Sequence, residues 1–153
     1  MSAASGVVAR QQFTYPSGDI YDGEWNTDCR KHGFGKINLT DGTVYSGKFE
    51  NGFCCGHGVL SFPNGDVYEG EFTGGKYGGY GVFTRSDGMK FEGQFKNGLV
   101  EGHGLITFPD GSHGMPRQEG DFFGTELLER RKVPEAVLKA QQAQRFARKC
   151  INM

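Results

Sequence analysis

The chain has 153 residues, 17 Lys/Arg against 18 Asp/Glu and a formal net charge of −1, so bulk charge does not mark it as a nucleic-acid binder. Its 26 glycines exceed twice the average usage of about 7%, yet they do not recur every third residue and only 5 prolines accompany them, which excludes collagen. With 13 Phe, 6 Tyr and one Trp, the chain has too much to bury for simple disorder.

In chain order, residues 1–12 read as a flexible N-terminus without an apolar run long enough for a signal peptide or membrane span. Ser2 stands where a myristoylation signal has glycine, and the C-terminal "CINM" is not a prenylation box. The four cysteines are therefore expected to be reduced thiols and the location cytoplasmic. "FTYPSG" at 13–18 matches "LSFPNG" and "ITFPDG" and begins a repeat array with half a unit.

The repeat has a period of 23, read from Gly42, Gly65, Gly88 and Gly111, from Gly33/Gly35 through Gly102/Gly104, and from Tyr45, Tyr68 and Phe91. Each unit carries two turn signals, Asp-Gly or Asn-Gly at one end and Asn-Gly or Gly-Gly at the other. Between them lie short alternating segments such as Tyr-Ser-Gly-Lys-Phe at 45–49. Two strands and two turns per unit leave no room for a crossover helix. The expected fold is all-β: an elongated single-layer antiparallel β-meander over residues 13–124, with four near-complete units, partial units at both ends and each unit contacting mainly its neighbours. The first unit carries one extra residue in "NTDCRKHG", and the last resumes only after an insertion in "SHGMPRQ".

A Pro-Asn-Gly loop at 63–65 sets Leu60 opposite Tyr68, Gly58 opposite Gly70 and Gly56 opposite Phe72, so that rings on one strand lie over bare backbone on the other. A two-residue loop would shift the pairing by one, setting Tyr68 against Ser61; the three-residue register is favoured because it accounts for the glycines. One face is then Tyr/Gly/Phe with Leu60 and Phe62, and the other carries Glu69, Glu71, Ser61 and His57. A single layer leaves an apolar face or groove uncovered, a candidate binding surface.

Residues 125–153 differ in kind, forming a basic segment with a helix expected at about 134–149. From 126 on, seven Lys/Arg stand against three Asp/Glu, a net +4 behind a body of −5. Pro134 and Glu135 suit the first turn, and Arg145, Arg148 and Lys149 the last. Val137, Ala140, Ala143/Gln144 and Ala147 form a stripe, with Leu138 and Phe146 near it. The helix is expected to cap the open end of the sheet, or alternatively to touch anionic membrane or a partner.

The motif Tyr-x-Gly-x-(Phe/Trp), then Gly-x-Gly, then Asp/Asn-Gly resembles the MORN repeat (membrane occupation and recognition nexus) over residues 13 to about 122. For a short, repeat-only chain ending in a basic helix, the resemblance implies a non-enzymatic cytoplasmic adaptor. It also implies a partner, the tail of a class III unconventional myosin, held in the sheet groove in actin-rich projections such as photoreceptor microvilli or stereocilia. The candidate groove residues are Tyr21, Trp25, Tyr45, Phe49, Tyr68, Phe72, Phe91 and Phe95, which also define the repeat and so carry a structural role first. Leu39, Phe62, Phe83 and Phe108 are less bound by the repeat rule. Candidate membrane or partner contacts are Arg130, Arg131, Lys132, Lys139, Arg145, Arg148 and Lys149.

No cofactor, metal or nucleic acid is expected. His57 and His103 are two repeats apart and Cys54-Cys55 is an adjacent pair of ordinary loop thiols, neither with zinc spacing. "GGKYGGYG" and "NGFCCGHG" lack the phosphate-loop signature, and no catalytic triad can be assembled. The Gly-x-Gly middles Phe34, His57, Tyr80 and His103 form a ladder on the second face, expected to be partly covered.

Overall fold

A computed structural model describes residues 9–109, 117–124 and 126–151. Eleven strands follow one another in sequence and in space as one antiparallel sheet. They are β1 (Ala9–Thr14), β2 (Ile20–Trp25), β3 (Lys31–Asn38), β4 (Val44–Glu50), β5 (Phe53–Ser61), β6 (Val67–Thr73), β7 (Lys76–Thr84), β8 (Lys90–Lys96), β9 (Leu99–Thr107), β10 (Arg117–Phe123) and β11 (Glu126–Arg130). One helix, α1, covers Pro134–Cys150. The sheet thus begins inside the segment read as a flexible N-terminus and ends inside the one read as basic tail: β1 pairs with β2 from Ala9, and β11 pairs with β10 up to Arg130. The turn at Gly111 and the "SHGMPRQ" insertion before Arg117 lie outside the described residues.

The turns set the register as expected. Phe62 N donates to Asp66 O at 2.9 Å and Gly65 N to Phe62 O at 3.0 Å, closing a loop of Pro63, Asn64 and Gly65 with Gly65 at φ +97°. Asn64 Oδ1 accepts the Asp66 N–H at 2.9 Å, an Asx turn that explains the Asn/Asp preference. Leu60 faces Tyr68, Gly58 faces Gly70 and Gly56 faces Phe72. At the other end, Asn51 (φ 48°) and Gly52 (φ 96°) make the two-residue connection whose positive dihedrals suit a twisted hairpin. The first unit's extra residue makes a three-residue loop there instead, with Asn26 N bonded to Arg30 O at 3.0 Å and Cys29 at φ 60°.

The rings lean differently from the expectation. Tyr68 lies over Gly81 of the following strand β7, not over Gly58 of the preceding β5; a Cβ on Gly81 would meet Tyr68 Oη at 2.2 Å. Tyr21 covers Gly35, Tyr45 covers Gly58 and Phe91 covers Gly104 in the same way. A β-bulge supplies the reason. The ladder shifts between Gly70 and Phe72, and the Tyr68 hydroxyl donates to the Glu71 carbonyl within it at 3.0 Å. Tyr21 and Tyr45 do the same to Glu24 O (2.7 Å) and Lys48 O (2.8 Å). Between units, rings meet edge to face: Tyr21 with Phe49 at 5.1 Å, Tyr45 with Phe72 at 4.8 Å, Tyr68 with Phe95 at 5.0 Å and Phe91 with Phe122 at 5.3 Å. This ladder is the core, and it closes one face of a single-layer sheet without a second layer of described residues over it.

The helix does not cap an open end. It runs across the second face, against the central strands β4 to β9. Ala136, Ala140, Ala143 and Ala147 are buried against the sheet, where Val82 and Leu105 are buried too. Small side chains let the helix lie close, while Leu138 and Phe146, which are not in that stripe, flank it and stay about half exposed. The sheet's acids lie beneath it. Gln144 Nε2 donates to Glu69 Oε1 at 2.9 Å, Arg148 donates to both Glu69 oxygens, and Gln141 Nε2 donates to Glu92 Oε2 at 2.9 Å. The basic segment and acidic body seen in the sequence are therefore partly neutralised against each other inside one chain.

Candidate functional site

The aromatic face divides into a floor and a rim. Tyr21, Tyr45, Phe49, Tyr68, Phe72, Phe91 and Phe95 form the floor, each no more than 5% exposed. Burial holds the hydroxyls of Tyr21, Tyr45 and Tyr68 well above the ordinary tyrosine range, so they remain protonated donors. These residues hold the repeat together and present little surface to a partner.

The remaining candidates are the accessible ones. Trp25, Phe62, Phe83 and Phe108 are half-buried, and Leu39 is 36% exposed. Leu39, Phe62 and Phe108 occupy equivalent places at the end of each unit's second strand, and Tyr15 takes that place before Leu39. Arg85 interrupts the row in the third unit, its guanidinium paired with Asp87. Behind it Phe83 lies 6.1 Å from Phe62 and 6.3 Å from Tyr77. Phe83, Tyr77, Val100 and Ile106 border a shallow apolar hollow of about 200 Å³. A second hollow of about 500 Å³ opens at β1 between Phe13, Tyr15 and Trp25. Tyr15 and Tyr77, not among the residues expected from the sequence, also lie here: Tyr15 precedes Leu39 in the row, and Tyr77 pairs opposite Phe72, where other units carry Cys54 and Val100.

Glu69 and Glu71 lie on the face opposite the aromatics, as the register predicts, and Glu69 is covered there by the helix. Glu71 Oε1 accepts the Tyr80 N–H at 2.6 Å, and Glu24 and Gln94 accept Phe34 N and His103 N at 2.7 Å in the same way. They close backbone donors rather than await a ligand. The acids beside the aromatic rim are those of the turns, Asp19, Asp41, Asp66 and Asp87. Asp41 and Asp87 are held below the usual carboxylate range, chiefly by the Thr43 N–H in the first and by the Arg85 side chain in the second.

Of the basic candidates, Arg148 is committed to Glu69, Lys139 to Glu135 at 3.2 Å and, at 5.4 Å, the Tyr80 ring, and Arg131 to Asp121 (3.3 Å) and Glu129 (3.2 Å). Arg145 and Lys149 are exposed on the helix's outer side, with Lys149 5.7 Å from the Phe146 ring. Of the Gly-x-Gly ladder Phe34, His57 and Tyr80 are partly covered, His57 by Phe146 at 5.4 Å, whereas His103 is exposed beside Asp121. Cys54 and Cys55 sit within β5 rather than a loop, and burial raises the Cys54 thiol to about 12. No described helix is long and apolar enough to cross a membrane.

The MORN-repeat family model matches residues 45–67, 68–90 and 91–113. The chain is also 54% identical, over 145 residues, to a Drosophila melanogaster protein described as "MORN repeat-containing protein 4 homolog". That alignment covers 95% of this chain and 73% of the relative. Its glycine-spaced aromatic ladder, its period and these similarities agree, and the chain belongs to the MORN-repeat family.

Proposed function

We propose that this protein is a non-enzymatic adaptor that holds a segment of a partner protein, the tail of a class III unconventional myosin, along the aromatic face of its sheet. In that role it localises or stabilises the motor complex in the cytoplasm of actin-based projections such as photoreceptor microvilli or stereocilia. The observation that carries the reading is the row Tyr15, Leu39 and Phe62, with Phe83 behind it: partly accessible aromatic and aliphatic side chains that no described residue of the helix covers, because the helix occupies the other face. One unit advances two strands, about 10 Å, which an extended chain covers in about three residues. A tail segment with apolar side chains at that interval would meet one rim residue per unit, with burial supplying affinity.

The test is binding of a class III myosin tail fragment to the full chain by calorimetry. Phe62→Asp and Phe83→Asp are expected to weaken it at least tenfold, and Arg145→Glu with Lys149→Glu to leave it within twofold. Unchanged affinity in both rim variants, with the fold verified by circular dichroism, would refute the reading. A second reading, contact with anionic phospholipid through the helix, draws on the exposed Arg145 and Lys149 beside the half-exposed Phe146. It predicts the reverse pattern with phosphatidylserine vesicles.

A further inference from the structure

The two edges of the sheet are finished differently. β11 is five residues long, joins β10 through a bulge between Asp121 and Phe122, and carries Glu126, Glu129 and Arg130, features that discourage another strand from pairing. β1 has none of them. Its six residues pair with β2 in unbroken register, all six are exposed, and Arg10 is their single charge. Tyr15 N donates to Asp19 O at 2.8 Å, so the backbone groups of Phe13, Gln11 and Ala9 turn inward to β2 by the alternation of an antiparallel ladder. Those of Arg10, Gln12 and Thr14 turn outward, and no described strand pairs with them.

Beside this open edge the aromatic face is unfinished. Phe49 meets the Tyr21 ring of the preceding unit, and Phe72 meets that of Tyr45. Trp25 holds the equivalent place in the first unit and, among the described residues, meets just its own unit's Tyr21 at 5.0 Å and Phe13 at 6.2 Å. The hollow of about 500 Å³ lies there, bordered by Ala9, Gln11 and Phe13, with Phe13 46% exposed. A further strand of the repeat type does not fit it. Gln11 pairs with Gly23 as Gly35 pairs with Gly47, so a side chain stands where a preceding tyrosine needs bare backbone.

We infer that the outer edge of β1 pairs with β1 of a second copy of this chain, giving a closed two-fold dimer. The outward groups select the register. Centred on Gln12, antiparallel pairing sets Gln12 opposite its own counterpart, Arg10 opposite Thr14 and Phe13 opposite Gln11, and it closes every outward N–H and C=O of β1. The two Phe13 rings become diagonal neighbours across the dyad, within aromatic reach, and cover the hollow beside Trp25. The two Arg10 side chains stay apart on the other face. Pairing consumes both unguarded edges and leaves a guarded β11 at each end, so assembly stops at two. Directly opposed residues share a face, which puts both aromatic rims on one side of a continuous sheet and both helices on the other. The pairing leaves Leu39, Phe62 and Phe83 free and does not depend on which partner they receive.

The test is sedimentation equilibrium of the full chain, with thiols kept reduced, at concentrations up to about 0.5 mM. A single monomer–dimer equilibrium is expected. Gln12→Pro removes an outward N–H at the dyad and spares the bonds to β2, so it should weaken the dimer about tenfold or more while leaving the melting temperature within about 2 °C. Leu128→Asp, on the opposite edge strand, should leave dimerisation within twofold. Cross-linking supplies a readout that does not need proline. Gln12→Cys, oxidised with copper–phenanthroline, should form a disulfide-linked dimer faster than Leu128→Cys or the unaltered chain, because a hydrogen-bonded pair brings its Cα atoms to about 5.5 Å. Monomer at every concentration, growth beyond a dimer, or a dimer that Gln12→Pro leaves intact would overturn the proposal. If Gln12→Pro lowers the melting temperature further, cross-linking decides, and linkage at position 12 no faster than at 128 overturns it.

Discussion

The two faces of this sheet are held by opposite means. On one, rings lie on glycines of the next strand and interlock unit to unit, so every contact recurs at the repeat period. On the other, a helix lies on four alanines and is tied down by Arg148, Gln144 and Gln141 to Glu69 and Glu92, contacts that occur once. The first face draws stability from burial and steric fit, and the second from polar pairing between distant parts of the chain. The repeated face is consequently rigid where it is closed and offers only its rim, whereas the helix face is removable in principle by a few side-chain changes.

High pH separates the faces most strongly. Burial raises Tyr21, Tyr45 and Tyr68, so folding favours their neutral form; the stability this represents is fully present below the unfolded value of about 10 and is lost as pH rises beyond it. The expected loss is about 1.4 kcal/mol per tyrosine for each pH unit above 10, seen as cooperative unfolding by circular dichroism together with tyrosinate absorbance. Tyrosinate appearing near pH 10 without unfolding would mean the rings are not closed in.

Next in size is a glycine comparison. Gly81→Ala drives a Cβ into the Tyr68 ring and is expected to cost about 3 kcal/mol in denaturant titrations. Gly78→Ala, whose nearest atoms lie 3.7 Å away, should be neutral or slightly stabilising. Equal effects would remove ring-on-glycine packing as the basis of the first face. On the second face, Arg148→Ala leaves Glu69 half-satisfied beneath the helix and should cost about 1–3 kcal/mol. The readout is faster hydrogen exchange in α1 with the strands unchanged.

Smallest is the hydroxyl comparison. Tyr68→Phe removes the donor to Glu71 O, for a loss of about 1 kcal/mol. Phe91 is the unit that lacks this hydroxyl, so Phe91→Tyr is expected to gain a similar amount through Gln94 O. Opposite shifts in midpoint would confirm that the bulge carbonyls are closed by the tyrosines.

The first face was legible in the sequence because its determinants are local. Asn64-Gly65 specifies the turn, the turn specifies the register, and the register places Gly58 opposite Gly70. What local pattern does not state is the direction in which a ring leans, which depends on a bulge at Glu71 whose carbonyl is visible only once strands pair. The second face was not legible. Glu69 reads as a solvent-facing strand acid, and its partner Arg148 is 79 residues away. A stripe of alanines does not say which apolar surface it covers, and so the helix was expected at the sheet's end. Of the candidate site, the rim residues Leu39, Phe62, Phe83 and Phe108 were separable from the floor by their looser place in the repeat. Tyr15 and Tyr77 were not, because the broken first unit and the absence of an equivalent aromatic in other units hid them.

The account's central claim is that the aromatic rim, and not the helix, receives the partner. Hydrogen-exchange mass spectrometry of the full chain with and without a class III myosin tail fragment tests it most directly. Binding should slow exchange at the strand ends around residues 37–39, 60–62, 83–85 and 106–108 while leaving 134–150 unchanged. Protection confined to 134–150, with the strand ends unaffected, would contradict it.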